Sequence, residues 1–276
     1  MHNTRPIGIF DSGIGGLTVF RSIAGQLPGH DLLYLGDNSR APYGNRSFNT
    51  IHQYTWECVQ WLLAQGCPLV ILACNTASAK ALRTIQQKDL PVTHPDRRVL
   101  GVIRPTAEVI GEYTHTGNIG VLGTQGTVAS GSYLLEIKKF FPEISVHQQA
   151  CPLWVPLIES GEYDKPGADH YVKLYLDELL QRSDQIDTIL LACTHYPLLQ
   201  HKIEAHLPEG VKVVAQGDIV AKSLTDYLQR HPEIDQQITR QGTRRFCTTT
   251  DDTTDLDQHA SMFISEEVEF EFIGQM

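Results

Sequence analysis

Two cysteines of this 276-residue chain sit in matching surroundings. Cys74 follows Leu72-Ala73 and opens onto Asn75-Thr76; Cys193 follows Leu191-Ala192 and opens onto Thr194-His195. An apolar run followed by a helical pattern puts each thiol at the C-terminal end of a strand, the edge where parallel sheets form ligand crevices. The helix N-terminus that follows is expected to favour the thiolate and lower the thiol pKa. A lone nucleophilic cysteine wants a histidine, an oxyanion hole and an acyl substrate. Two equivalent thiols facing each other suit a different chemistry, in which a proton is removed from one face of a carbon and another is supplied to the opposite face. Each thiol must then reach that carbon to ~3–3.5 Å, so the sulfurs should stand roughly 6–8 Å apart.

An amino-acid α-proton is so weakly acidic that such a cleft must also stabilise a carbanionic carboxylate and exclude water. Ser12, Asn75, Thr76, Thr124, Thr127 and Thr194 are the candidate donors, all at expected strand-to-helix turns. Asp11 in the first half and His195 in the second are the candidate acid/base groups that tune the thiols, and histidine titrates where such catalysis needs it. The matching surroundings extend further. Ile7-Gly8-Ile9-Phe10-Asp11-Ser12 resembles Ile119-Gly120-Val121-Leu122-Gly123-Thr124 in the same order, which points to one duplicated unit.

The elements that must hold these residues read as alternating strands and helices. Strands are expected at 7–10, 32–35 and 70–73, with helices from 17, over 47–65 and from 76, then a Pro-containing linker at 91–98. The second half repeats the grammar, with strands at 100–103, 118–122, 145–149, 188–192 and 211–215. Its helices are expected near 106–113, 130–140, 167–181, 197–206 and 218–229. The tail alternates Glu266, Glu267, Glu269 and Glu271 with Val268, Phe270 and Phe272, an edge strand with a solvated acidic face. The expected fold is α/β, with two pseudo-symmetric doubly wound domains, mainly parallel sheets and the active site in the cleft between them.

Composition excludes several functions. Net charge is −10, with 32 acidic against 22 basic side chains, so no basic stripe serves a nucleic acid or an anionic membrane. The start, Met1 to Pro6, carries no apolar leader, no run reaches membrane-spanning length, and the expected location is the cytoplasm. The six cysteines show no C-x-x-C pair, so neither a disulfide framework nor a metal site is expected. Cys58, Cys67, Cys151 and Cys247 read as buried space-fillers.

Taken together, Asp11-Ser12-Gly13-Ile14-Gly15-Gly16, the Asp37 to Gly44 segment with Pro42-Tyr43-Gly44, Ala73-Cys74-Asn75-Thr76, Gly123 to Thr127, Pro152 to Glu159 and Ala192 to Pro197 are specific. Over nearly its whole length the chain resembles the glutamate racemase family of the aspartate/glutamate racemase superfamily. The resemblance implies cofactor-independent interconversion of L- and D-glutamate, supplying D-glutamate for peptidoglycan, with glutamate as the small-molecule partner; a homodimer is compatible with it. It implies Cys74 and Cys193 as the catalytic pair, with Asp11, Glu159 and His195 assisting. It implies substrate contacts at Asp11, Ser12, Pro42, Tyr43, Gly44, Asn75, Thr76, Thr124, Thr127, Thr194 and His195. It also implies that the tail from about Ala215 returns to the first domain, giving domains 1–98 with 215–276, and 99–214. One departure is Pro105-Thr106-Ala107 where the family usually has Pro-Gly-Ala, so that turn is expected to be shaped differently.

Other readings stay open at this point. Gly13-x-Gly15-Gly16 after a strand, with Asp37 ending the next, is similar to a dinucleotide loop, although the spacing is not G-x-G-x-x-G. A non-catalytic two-domain amino-acid binder would leave the duplicated thiols unexplained. Aspartate, or another acidic amino acid, is an alternative substrate.

Overall fold

Among the residues described by the computed structural model, 4–264 and 267–276, ten strands form two sheets with every bridged pair parallel. The leader reading at Met1–Asn3 and Glu266 of the acidic tail lie outside the described residues. The first sheet contains β1 (Ile7–Asp11), β2 (Leu32–Gly36), β3 (Leu69–Leu72), β4 (Arg98–Gly101), β9 (Arg244–Thr248) and β10 (Phe270–Phe272), in the order β10-β9-β2-β1-β3-β4. The second contains β5 (Asn118–Gly123), β6 (Ser145–Ala150), β7 (Thr188–Ala192) and β8 (Lys212–Val214), in the order β6-β5-β7-β8. The order β2-β1-β3-β4 thus recurs as β6-β5-β7-β8, the three-dimensional form of the sequence duplication. β1, β2, β3 and β7 are buried at every residue, as their unbroken apolar runs require of strands covered on both faces. One apolar cluster includes Ile9 and Ile71 of the first sheet with Leu122 and Leu191 of the second, so the two sheets share a core.

Several elements differ from the sequence reading. The strand expected at 100–103 runs Arg98–Gly101 and pairs with β3, Val70 opposite Val99, so it edges the first sheet. The helix after Cys74 is broken into Asn75–Lys80, Leu82–Thr84, a π-helical turn at Ile85–Asp89 and Leu90–Thr93, whose end runs three residues into the linker expected at 91–98. Pro91 sits in the first turn of the last piece, where its missing N–H is no loss. The acidic tail forms only the short strand Phe270–Phe272, with Phe270 buried and Phe272 exposed. The turn at Pro105-Thr106-Ala107 is ordinary helix, Ile103–Val109. Helix Gly217–Arg230 packs on helix Leu17–Gln26, carrying the chain back from β8 to the first sheet.

Candidate active site

Each sheet has one place where the chain leaves a central strand in both directions. In the first it lies between β1 and β3, in the second between β5 and β7. Loops beyond such switch points diverge and leave a crevice. Ser12 follows β1 and Cys74 follows β3; Thr124 follows β5 and Cys193 follows β7. The two crevices merge into one cavity of about 380 Å³. Ser12, Pro42, Tyr43, Gly44, Cys74, Asn75, Thr76, Thr124, Glu159, Cys193, Thr194 and His195 all line it. Asp11 and Thr127 do not, being wholly buried behind that lining.

Cys74 caps helix Asn75–Lys80, its sulfur accepting from the Ala77 N–H at 3.5 Å and lying 3.5 Å from the Ser12 hydroxyl. These contacts favour the thiolate, as the sequence suggested. Burial outweighs them, the negative charge of Asp11 adds to it, and the Cys74 thiol is pushed up to about 12. The expected lowering is therefore reversed on this side: at neutral pH, Cys74 rests as a proton donor.

Cys193 has different surroundings. It caps no helix, since the next helical turn is Tyr196–Leu199, so the expected helix-terminus effect has no helix to act from. Its partner is His195, whose Nδ1 lies 4.0 Å from Sγ and whose Nε2 lies 3.0 Å from Glu159 Oε1. Burial alone would neutralise the imidazole, but Cys193 and Glu159 outweigh it and raise His195 to about 10. Cys193 thus faces an imidazolium, where Cys74 faces a helix N-terminus. Asp11 sits beneath both sides, accepting from the Gly13 N–H at 3.1 Å and from Thr194 Oγ1 at 3.4 Å. Burial raises its pKa, with the His195 charge opposing.

The hydroxyl donors meet across the interface of the two halves. Thr76 Oγ1 lies 2.9 Å from Thr124 Oγ1 and 3.4 Å from Thr127 Oγ1, so Thr127 orients its neighbours from behind. The Gly44 carbonyl accepts from the Gly126 N–H at 2.8 Å, which joins the Pro42–Gly44 loop to the second half. The Tyr43 phenol donates to Asp37, whose carboxylate also receives Arg40 Nε at 2.7 Å and Thr249 Oγ1 at 2.8 Å. Asp37 is wholly buried and fully occupied, which leaves nothing for the ribose hydroxyls of the dinucleotide reading.

Sequence reasoning missed part of the lining. Cys151, taken for a space-filler, lines the cavity with Pro152, Val155 and Pro156. Its position just beyond β6, on the same sheet edge as Cys193, was the available signal. Gln216, behind Asn75, carried no such signal. Among the described residues no group of three His, Cys, Asp or Glu side chains could hold a metal ion, and no helix is long and apolar enough to cross a membrane.

The Asp/Glu/Hydantoin racemase family profile matches residues 7–224. A glutamate racemase of Persephonella marina is 47% identical over 203 residues, covering 73% of this chain and 74% of that protein. Among solved structures, a glutamate racemase isoform of Bacillus anthracis superposes with a TM-score of 0.88 at 33% identity, covering 99% of this chain and 98% of the other. A glutamate racemase of Francisella tularensis, solved in complex with D-glutamate, superposes at 0.85 with 31% identity, covering 99% and 98%.

Proposed function

The chain belongs to the Asp/Glu/hydantoin racemase family, and we propose that it interconverts L- and D-glutamate by two-base proton transfer, supplying D-glutamate for peptidoglycan. The observation that carries this reading is the placement of Cys74 and Cys193 at the equivalent switch points of two duplicated sheets, lining one cavity. One thiolate takes the α-proton, leaving a planar carbanion whose charge spreads into the α-carboxylate. The opposite thiol gives its proton to the other face and becomes the thiolate. Atoms balance, and the two sulfurs have exchanged protonation states.

Cys193 takes the proton of L-glutamate and Cys74 that of D-glutamate, as the family resemblance implies. The environments support unequal starting states. Cys74, with its raised pKa, starts as the acid, which leaves the part of the base to Cys193, 4.0 Å from His195 Nδ1. That is the arrangement for L-glutamate; D-glutamate requires the reversed one. Ser12, Asn75, Thr76, Thr124 and Thr194 supply donors for the substrate carboxylates. Asp11, Glu159 and Thr127 act from behind or beside them. The mechanism asks for no cofactor. Six free cysteines, all buried, support a reducing, cytoplasmic setting.

The test is incubation of the purified protein with each enantiomer of glutamate and of aspartate in heavy water, following α-deuteration and optical rotation. Glutamate of either hand should exchange and lose its rotation. Faster turnover of aspartate, or no exchange into glutamate, would overturn the assignment.

A further inference from the structure

Asn75 shares the cavity wall with Cys74, yet most of its carboxamide is engaged on the protein side. Its Nδ2 donates to Gln216 Oε1 at 2.7 Å, and its Oδ1 accepts from the Tyr133 hydroxyl at 2.5 Å. Gln216 Nε2 donates in turn to the Tyr133 oxygen at 2.6 Å and to Thr106 Oγ1 at 2.8 Å. All four side chains are buried: Thr106 and Tyr133 completely, Asn75 and Gln216 nearly so. They come from four separate elements. Asn75 begins the helix after β3, Thr106 lies in helix Ile103–Val109, Tyr133 in helix Ser132–Phe140, and Gln216 caps helix Gly217–Arg230.

A ring of carboxamides and hydroxyls can be satisfied in either direction, with every donor and acceptor exchanged. Here one atom breaks the tie. The Val102 carbonyl can only accept; it receives Thr106 Oγ1 at 2.9 Å and faces Gln216 Nε2 at 3.4 Å. Thr106, having spent its proton on Val102, can only accept from Gln216. The Gln216 nitrogen therefore faces Thr106, Tyr133 and Val102, and its oxygen faces Asn75. Tyr133 accepts from Gln216 and so donates to Asn75 Oδ1. The Asn75 nitrogen has one hydrogen on Gln216 and a second left for the cavity. Reversing the ring would turn Gln216 oxygen toward the Val102 oxygen and exchange the donor and acceptor ends of Asn75.

We propose that Gln216 and Thr106 are positioning residues that fix Asn75 as a hydrogen-bond donor into the cleft, set to receive a substrate carboxylate. The proposal rests on the racemase reading. A carboxylate already carries a full charge in the ground state, so most of this donor's contribution is uniform binding: it sets KM for both enantiomers and touches kcat only through the extra charge that an α-carboxylate takes up from the carbanion.

The test compares Thr106→Val, which keeps the shape and removes the hydroxyl, with Thr106→Ser, which restores it. Tyr133→Phe is the second probe; it keeps the ring in its buried seat and removes the proton on Asn75 Oδ1. Steady-state rates with L- and D-glutamate are measured alongside melting temperature. Thr106→Val and Tyr133→Phe should raise KM about tenfold for both enantiomers with kcat within about threefold, as loss of one hydrogen bond to a charged group implies. Thr106→Ser should lie within about twofold of the parent. An unchanged KM in both hydroxyl-lacking variants overturns the proposal. So does a KM rise that Thr106→Ser shares, which would mark a packing effect. A parent protein that does not turn over glutamate would instead overturn the racemase reading, so the two failures remain distinct.

Discussion

Gly15→Ala tests how finely the Cys193 side is set. Gly15 does not belong to the glycines with left-handed backbone, so its role is proximity rather than conformation. A Cβ built there would stand 2.3 Å from His195 Nδ1, 2.5 Å from Cε1 and 2.7 Å from Thr194 Oγ1. Ordinary contact begins near 3.4 Å, so the imidazole or the loop must yield by ~1 Å. The ring has little room to retreat, held at 3.0 Å by Glu159 and edge-on against Phe263 at 5.4 Å between centroids. A displacement of ~1 Å in a catalytic group is enough to lower turnover on the order of 100-fold, and the crowding should cost about 1–3 kcal/mol of stability. Enantiomers have equal free energy, so kcat/KM must fall equally in both directions and racemisation rates alone would not show which face is hurt. Elimination from the two enantiomers of an N-hydroxylated glutamate separates the faces, because each reaction needs one base. The L form, served by Cys193, should slow about 100-fold, and the D form, served by Cys74, less than tenfold. Gly25→Ala is the control: nothing lies within 4 Å of its added Cβ, and it lies inside helix Leu17–Gln26. It should leave rates unchanged and raise stability by about 0.5–1 kcal/mol. Gly15→Ala turnover within threefold of the parent, or equal slowing of both eliminations, would refute the reasoning.

Cys74→Ser and Cys193→Ser should each abolish racemisation yet retain elimination from opposite enantiomers of the same analogue; a shared preference would defeat the two-thiol mechanism. His195 has its pKa raised from 6.5 to about 10 in the folded protein, so the stability it contributes is complete below about pH 6.5 and is lost as pH rises toward 10. The difference in melting temperature between the parent and His195→Gln should shrink across that window, and a constant difference would count against a charged imidazole. Asp37→Ala strips the buried partner from Arg40, Tyr43 and Thr249 and should cost about 3 kcal/mol in denaturant unfolding, with weaker glutamate binding as the Pro42–Gly44 loop loosens. Binding of glutamate should slow amide exchange over 37–44 and 159–161 if the cleft closes on it.

Local pattern carried far in this protein because its chemistry sits at strand ends. An apolar run such as Val70-Ile71-Leu72-Ala73 can only be a covered strand, so the residue after it had to reach the sheet edge, and the repeated Ala-Cys pair marked both edges at once. What depended on summed environment was not legible. Cys74 has the helix cap that sequence implied, but its thiol is governed by burial and by Asp11, a residue 63 positions away in the chain. Cys193 looked equivalent and is not, because Thr194-His195 turns before the helical turn Tyr196–Leu199 begins. Gln216 stood at the end of a weak strand, and only the assembled fold brings it to Asn75 and Thr106. β9 escaped notice for a simpler reason: Arg244-Arg245-Phe246-Cys247-Thr248 has one large apolar side chain, and its place is set by pairing with β2 rather than by its own pattern.

That pairing bears on the order in which the protein can be built. The second sheet draws its four strands from one continuous stretch, residues 118–214, and has all its partners as soon as that stretch is synthesised. The first sheet begins earlier but is completed only when Arg244–Thr248 aligns on Leu32–Gly36 and Phe270–Phe272 on Arg244–Thr248. Until then β2 has an open edge, the kind of exposed template that invites pairing between chains. During translation the half bearing Cys193 can therefore settle first, while the half bearing Cys74, although older, waits for more than 200 residues to emerge before its sheet closes. Parallel pairing over such separations is slow, and crowded nascent chains should be most prone to aggregate in that interval.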